Sequence, residues 1–284
     1  MRTHLWHRPS LGRHADRLRQ AALELLWPTR CVGCERLGVL LCEDCASALP
    51  FIDQGRACPR CGAPAGALVC TECAPVHERT ALAFTQARCA LEFAGPVPRL
   101  VVAYKDGGER RLAGLLARLV ARVVTPEWRC WADVLAWVPA DAAALRRRGF
   151  DHMRLVAEAL GALTGLRTAP LLVKQAQLDQ RLLGRRQRRE NAGSVFSLHP
   201  SPAIAQRGRA GTGQGPRAAG ADVGKGPCAA DVQGVLRGGP LSSFGRIVLI
   251  DDVLTTGATL DAATRVLLSA GAQEVRVATV ARVW

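Results

Sequence analysis

The sequence predicts a mostly parallel α/β sheet with flanking helices, preceded by a small cysteine-rich module. Three observations carry that expectation. Aliphatic runs of strand length alternate with longer segments of helical periodicity, the order by which chains build parallel sheets through crossover connections. One run, residues 247–250, is aliphatic without alternation, as a strand covered on both faces must be. Eight of the eleven cysteines fall in residues 31–73 as four CxxC pairs. The organisation expected is a basic, amphipathic segment at 1–28, the cysteine-rich module at 29–78 and the α/β domain at 79–284, interrupted by a flexible insertion at about 199–240.

In the first segment, "AALELLW" is broken by Glu24 and has no small-residue cleavage site, so a secretory signal is not expected. The longest apolar stretch, "LAGLLARLVARVV", carries Arg118 and Arg122 and reads as an amphipathic helix rather than a membrane span. The expected location is therefore cytoplasmic. There thiols stay reduced, so paired CxxC spacing indicates metal rather than disulfides. Cys31, Cys34, Cys42 and Cys45 form one set, and Cys58, Cys61, Cys70 and Cys73 a second, near-identical one. Each CxxC turn offers two thiolates, and two turns complete the closed tetrahedron of a structural zinc site. Gly33 and Gly62 suit the turns. Spacing alone leaves open whether the pairs combine sequentially or interleave. Few large apolar side chains lie in this region, so metal binding is expected to specify its fold. Cys89, Cys130 and Cys228 lack a CxxC partner and are not assigned metal.

Residues 81–93 show loose alternation and read as one long strand or a strand pair. Residues 97–124 have helical periodicity broken at Asp106, Gly107 and Gly108, predicting two helices that meet at a polar turn. "DVLAWVPA" is a short buried strand ending near Pro139. After the Arg-rich turn "LRRRGF", Asp151 is placed to cap a helix whose apolar positions 153, 156, 160 and 163 share one face. "PLLV" and "GSVFSL" are two further strands. Between His199 and Pro240, 42 residues hold ten Gly, eight Ala and five Pro, with almost no periodic apolar positions. Structure resumes at "RIVLIDDV", continues as a helix with apolar positions 260, 263, 267 and 268, and closes with the strand "EVRVATVARVW".

The formal net charge of +14 would suit a polyanionic partner. Only three lysines accompany 35 arginines, a skew that reflects codon bias as much as binding.

The most informative stretch is "IVLIDDVLTTGAT". Its strand delivers Asp251 and Asp252 at the carboxyl end, where open α/β sheets bind ligands. Thr255, Thr256, Gly257, Ala258 and Thr259 then lead into a helix N-terminus, so backbone N–H groups and hydroxyls converge on one point, as an anion site requires. Like charges repel, so the aspartates must face something other than that anion. Neighbouring carboxylates suit a vicinal diol, or a magnesium ion that a pyrophosphate also coordinates. A monophosphate, a vicinal diol and a magnesium-binding pyrophosphate occur together in 5-phosphoribosyl 1-pyrophosphate. The chain has no GxxxxGK[ST] and no GxGxxG after a strand, which disfavours P-loop and dinucleotide folds.

These residues resemble the phosphoribosyl-pyrophosphate loop of type I phosphoribosyltransferases. With "LLWPTRCVGC", "VVAYKDGGERRLAGLLARL", "VPADAAALRRRGFDH" and "QRLLGRRQRREN", the chain is similar to the ComF family of competence-associated, phosphoribosyltransferase-like proteins with an N-terminal double zinc ribbon. The likeness covers about residues 20–198 and 244–283. It implies a type I phosphoribosyltransferase-like sheet, with Asp251 and Asp252 on the ribose hydroxyls, residues 255–259 on the 5-phosphate and Arg148 facing pyrophosphate. It also implies a catalytic loop carrying Gln180, Leu183, Arg188 and Asn191. The chain departs from the family at Asp151 and His152, where Asn and Gln are usual, and at Lys174, where arginine is usual. Two functions follow as expectations. The first is magnesium-dependent phosphoribosyl transfer to an unidentified acceptor. The second is a non-catalytic, single-stranded DNA-binding role beside the DNA-uptake machinery, using the zinc ribbons and the Arg clusters at 146–148 and 181–189.

Overall fold

The structure is a computed structural model and describes residues 28–65, 69–73, 82–175, 195–200 and 245–284. The chain divides into two compact units, Met1–Ala48 and Leu49–Trp284. The expected catalytic loop, most of the insertion and most of the N-terminal segment lie outside the described residues. Among the described residues no helix is long and apolar enough to cross a membrane.

In the first unit the described residues form one cysteine knuckle. Arg30 and Leu37 make an antiparallel bridge across it, and the short helix α1 (Glu43–Ser47) carries Cys45.

The second unit is built on a four-stranded, all-parallel sheet. Its strands are β1 (Gln86–Glu92), β2 (Val134–Trp137), β5 (Arg246–Leu254) and β6 (Glu274–Arg282), in the spatial order β1-β6-β5-β2. Parallel neighbours need crossovers, and the helices provide them: α2 (Val97–Lys105), α3 (Ala113–Ala121), α4 (Pro126–Trp131), α5 (Ala142–Arg148), α6 (His152–Thr164) and α7 (Ala258–Ser269). "PLLV" and "GSVFSL" do not join this sheet. They form a separate antiparallel pair, β3 (Leu172–Lys174) with β4 (Phe196–Leu198), in which Leu172 faces Leu198.

β5 is interior, which explains its unbroken aliphatic run. Ile247, Val248, Leu249 and Ile250 are each fully buried, and each such side chain contributes roughly 1.5–3 kcal/mol relative to exposure. Register sets the strands side by side, with Ile250 paired to Trp137 on β2 and to Ala278 on β6, and β5 and β6 continue together past the end of β2 to Leu254 and Arg282. The two helices meeting at residues 106–108 form as expected, and α3 packs on α6. Asp151 caps α6 by accepting the N–H groups of Met153 and Arg154. The expected apolar face of α6 holds at Met153, Val156 and Leu160 but fails at Leu163, which is 50% exposed. Leu163 falls at the margin of the stripe in the last turn, and the buried face continues instead through Ala157 and Gly161. On α7, Thr264 rather than Leu268 completes the buried face.

Candidate functional site

β2 ends opposite Ile250 while β5 runs on to Leu254, and a cleft of about 480 Å³ opens at this carboxyl edge of the sheet, lined among others by Asp251, Asp252, Thr255, Thr259, Arg148 and Lys105. Sheet topology puts it there, since adjacent parallel strands release their connections on the same edge.

The two acids sit inside β5 rather than after it, because the strand runs on to Leu254. Both are buried, at 8% and 6% exposure. Each has one carboxylate oxygen fixed by the backbone: Asp251 Oδ1 accepts the Asp252 N–H at 2.9 Å, and Asp252 Oδ1 accepts the Val253 N–H at 2.8 Å. Two buried like charges side by side are costly unless one is neutralised or paired. Burial, and then the charge on Asp252, push Asp251 well above the ordinary carboxylate range. Burial acts upward on Asp252 as well. There the adjacent His152 imidazole and the Lys105 ammonium outweigh it and hold the carboxyl below its usual range. Lys105 Nζ lies 2.5 Å from Asp252 Oδ2, and His152 Nε2 lies 3.4 Å from the same oxygen.

The turn after β5 places Gly257 at φ 83 as the residue preceding α7. Its left-handed backbone suits glycine, and an added Cβ would come within 3.3 Å of Leu82 Cδ2. Thr256 Oγ1 accepts the Ala258 N–H at 3.4 Å, and the Asp261 N–H closes the first helical turn on Gly257 O at 2.8 Å. The N–H groups of Thr259 and Leu260 in that turn have no carbonyl of their own helix to bond, so they are available to an anion. Of the five residues expected in the loop, Thr255 and Thr259 line the cleft with the acids. Ala258 and Thr259 line an adjoining cleft of about 500 Å³ under β4, and Thr256 and Gly257 line neither.

Arg148 is at the end of α5, with the left-handed Gly149 terminating the helix. Its Nη2 donates to Asp106 Oδ1 at 3.0 Å, while its Nε is buried with no hydrogen-bond partner among the described residues. Lys174 and Asp141 stand 4.0 Å apart where the two clefts meet. Phe150 and Phe196, the aromatics nearest the Arg-rich segments, are buried at 7% and 0% exposure and present no stacking surface for bases.

Sequence reasoning missed Lys105, the orientation of His152, and Arg282. For Lys105 a signal existed, since it is one of three lysines among 35 arginines. Arg282, 3% exposed, donates from Nη1 to Leu254 O at 3.3 Å and Thr255 O at 2.6 Å, and from Nε to Cys61 O at 3.2 Å. The same guanidinium thus braces the start of the turn and a cysteine knuckle.

The cysteines combine sequentially: Cys31, Cys34, Cys42 and Cys45 in one cluster, Cys58, Cys61, Cys70 and Cys73 in the other, the four sulfurs of each lying within 4.8 Å of one another. The local geometry repeats. The Cys42 N–H donates to Cys31 Sγ at 3.3 Å, the Cys70 N–H to Cys58 Sγ at 3.3 Å, and the Cys34–Cys42 and Cys61–Cys70 sulfurs are each 3.5 Å apart. Tetrahedral zinc with bonds of about 2.3 Å needs sulfurs at this kind of spacing, so both clusters fit structural zinc. Burial alone would raise the Cys31 thiol, but backbone N–H donors led by Cys42 bring it down to about 6, favouring the thiolate a metal requires. Gly62 has the expected positive φ of 69, whereas in the first knuckle that conformation falls on Glu35, the residue after Cys34, and not on Gly33.

The phosphoribosyl transferase domain family matches residues 185–283, which contain β4, β5, the turn, α7 and β6. The double zinc ribbon domain family matches residues 22–74, which contain both knuckles. No curated protein matches the chain. The protein therefore combines a phosphoribosyltransferase domain, built on a parallel sheet with flanking helices, and a cysteine-rich double zinc ribbon.

Proposed function

We propose that the cleft binds 5-phosphoribosyl 1-pyrophosphate and that the protein transfers its phosphoribosyl group to a nitrogen nucleophile, in the manner of the ComF-like proteins its sequence resembles. One observation carries this reading: the paired acids of β5 and two threonines of the following turn, Thr255 and Thr259, line the same cleft. The turn and the N-terminus of α7 hold the 5-phosphate. Asp252, kept ionised, accepts hydrogen bonds from the ribose hydroxyls, and Asp251, tending to the neutral acid, can donate one. Arg148 and Lys105 face the leaving pyrophosphate, where a guanidinium fork and a point charge both offset developing negative charge. Magnesium carried by the diphosphate supplies further neutralisation there. Lys105 must then let go of Asp252 to serve the substrate, and its partly exposed, flexible stem permits that. The acceptor is an amine or ring nitrogen able to reach the anomeric carbon within the cleft.

Among the described residues, the burial of Phe150 and Phe196 leaves no stacking surface beside Arg146, Arg147 and Arg148 to favour the single-stranded DNA reading. Calorimetry with phosphoribosyl pyrophosphate and magnesium tests the proposal. Binding is expected in the parent protein and at least about tenfold weaker in Asp252→Asn and Thr259→Val, since each removes hydrogen bonds to a charged ligand. A parent protein that gives no binding isotherm removes the ligand assignment.

A further inference from the structure

We propose that His152, Asp251 and Asp252 form a binding site for one divalent transition-metal ion, with manganese(II) preferred over magnesium. The three residues come from two elements far apart in sequence, yet one ligand atom from each lies within 4.8 Å of the other two. The acids alone would be a weak argument. The imidazole supplies the independent one. His152 has 6% of its side chain exposed, and neither ring nitrogen has a hydrogen-bond partner among the described residues. A buried imidazole is normally satisfied, and one left open toward two carboxylates has the form of a ligand awaiting an ion.

The surroundings hold the backbone that carries His152. Tyr104 Oη donates to the His152 carbonyl at 2.5 Å, and Asp151 anchors the start of α6 while its Oδ2 accepts the Trp137 indole N–H at 3.3 Å. Each aspartate has one oxygen tied to a backbone N–H, which sets its rotamer and leaves the other oxygen for coordination. The contacts on the two carboxylates are of the kind that orient ligands at protein metal sites. Lys105 Nζ, 2.5 Å from Asp252 Oδ2, marks where positive charge settles, and the lysine and the ion compete for that oxygen.

The donor set decides the metal. Magnesium favours an all-oxygen octahedron with several waters, whereas an imidazole nitrogen beside two carboxylates suits a borderline ion. Three protein ligands leave positions open toward the cleft, where ligand oxygens complete the shell. The site needs no sugar phosphate to form, so its test is run without one and a failure leaves the preceding reading standing.

Protein given two equivalents of zinc, which the thiolate clusters take first, is freed of excess zinc, titrated with manganese(II) and followed by electron paramagnetic resonance. One equivalent is expected to bind, with a nitrogen coupling from imidazole in the electron spin echo envelope. Magnesium is expected to displace it only in large excess. Loss of supporting contacts already weakens protein metal sites by about 10–100-fold, so His152→Gln is expected to cost at least about tenfold and to abolish the nitrogen coupling. Lys105→Met removes the competitor and is expected to tighten binding. No bound manganese, a bound ion without nitrogen coupling, or weaker binding in Lys105→Met overturns the proposal. The coupling in the parent protein decides the matter even if a variant fails to fold.

Discussion

Asp252 meets its counter-charge 147 residues away in sequence, and that separation sets what a reader of the chain can see. The turn beside it is local, and its demands fall on single residues. Gly257 has φ 83 and a neighbour 3.3 Å from any added Cβ, whereas Gly108 has φ 70 with nothing within 4 Å. Left-handed backbone costs a non-glycine residue roughly 1–2 kcal/mol. Gly108→Ala and Gly257→Ala are each expected to lose about that much stability in denaturant titrations. Gly257→Ala alone is expected also to weaken phosphoribosyl-pyrophosphate binding, because its methyl group must push Leu82 or shift the turn. Equal binding by both variants would show that the turn tolerates the shift. Residues whose roles depend on the turn itself were legible in "LTTGAT". Lys105 and His152 were not assigned to the acids, because only the packing of α2 and α6 beside β5 brings them there.

At the scale of elements, β5, α7 and β6 were legible because aliphatic runs and helical stripes are one-dimensional patterns. The partition of "PLLV" and "GSVFSL" into their own hairpin was not, since strand propensity does not name a partner. Nor was the brace at the end of β6. The Arg282 guanidinium bonds Cys61 O and Leu254 O in a buried setting, and Thr255 O in a partly exposed one. Removing it takes a donor from the buried Cys61 carbonyl, at about 1–3 kcal/mol, whereas Leu254 O keeps the Val283 N–H at 3.0 Å and water can reach Thr255 O. Arg282→Ala is accordingly expected to lose about 1–3 kcal/mol in chemical denaturation. Arg282→Lys, with one point of charge in place of a fork, should recover only part of it. A loss under about 1 kcal/mol in Arg282→Ala would mean that water takes over the Cys61 carbonyl.

For the whole molecule, the excess of arginine has a structural use that composition conceals. Arg276 lies 3.9 Å from the Trp131 ring centroid, Arg122 4.3 Å from Phe51 and Arg110 4.6 Å from Phe150. Such side chains are committed to stacking within the second unit, so net charge overstates the surface free for a polyanion. The two cysteine clusters, alike in sequence, also differ in setting. Cys31 and its partners bond within the first unit, whereas the second cluster is buried with Ala63 and partly buried Leu82, and its Cys61 carbonyl takes a bond from Arg282, which also braces the turn after β5. Elemental analysis is expected to find two zinc ions per chain, falling to one in either Cys31→Ser or Cys58→Ser. The variants should then part company. Loss of the second site frees the Cys61 end of the brace, so Cys58→Ser is expected to weaken phosphoribosyl-pyrophosphate binding about tenfold, or about 1.4 kcal/mol, and to lower the denaturation midpoint of the second unit. Cys31→Ser is expected to change both far less. Equal effects from the two variants would show that the clusters act on the cleft alike and that the Arg282 link carries no special weight.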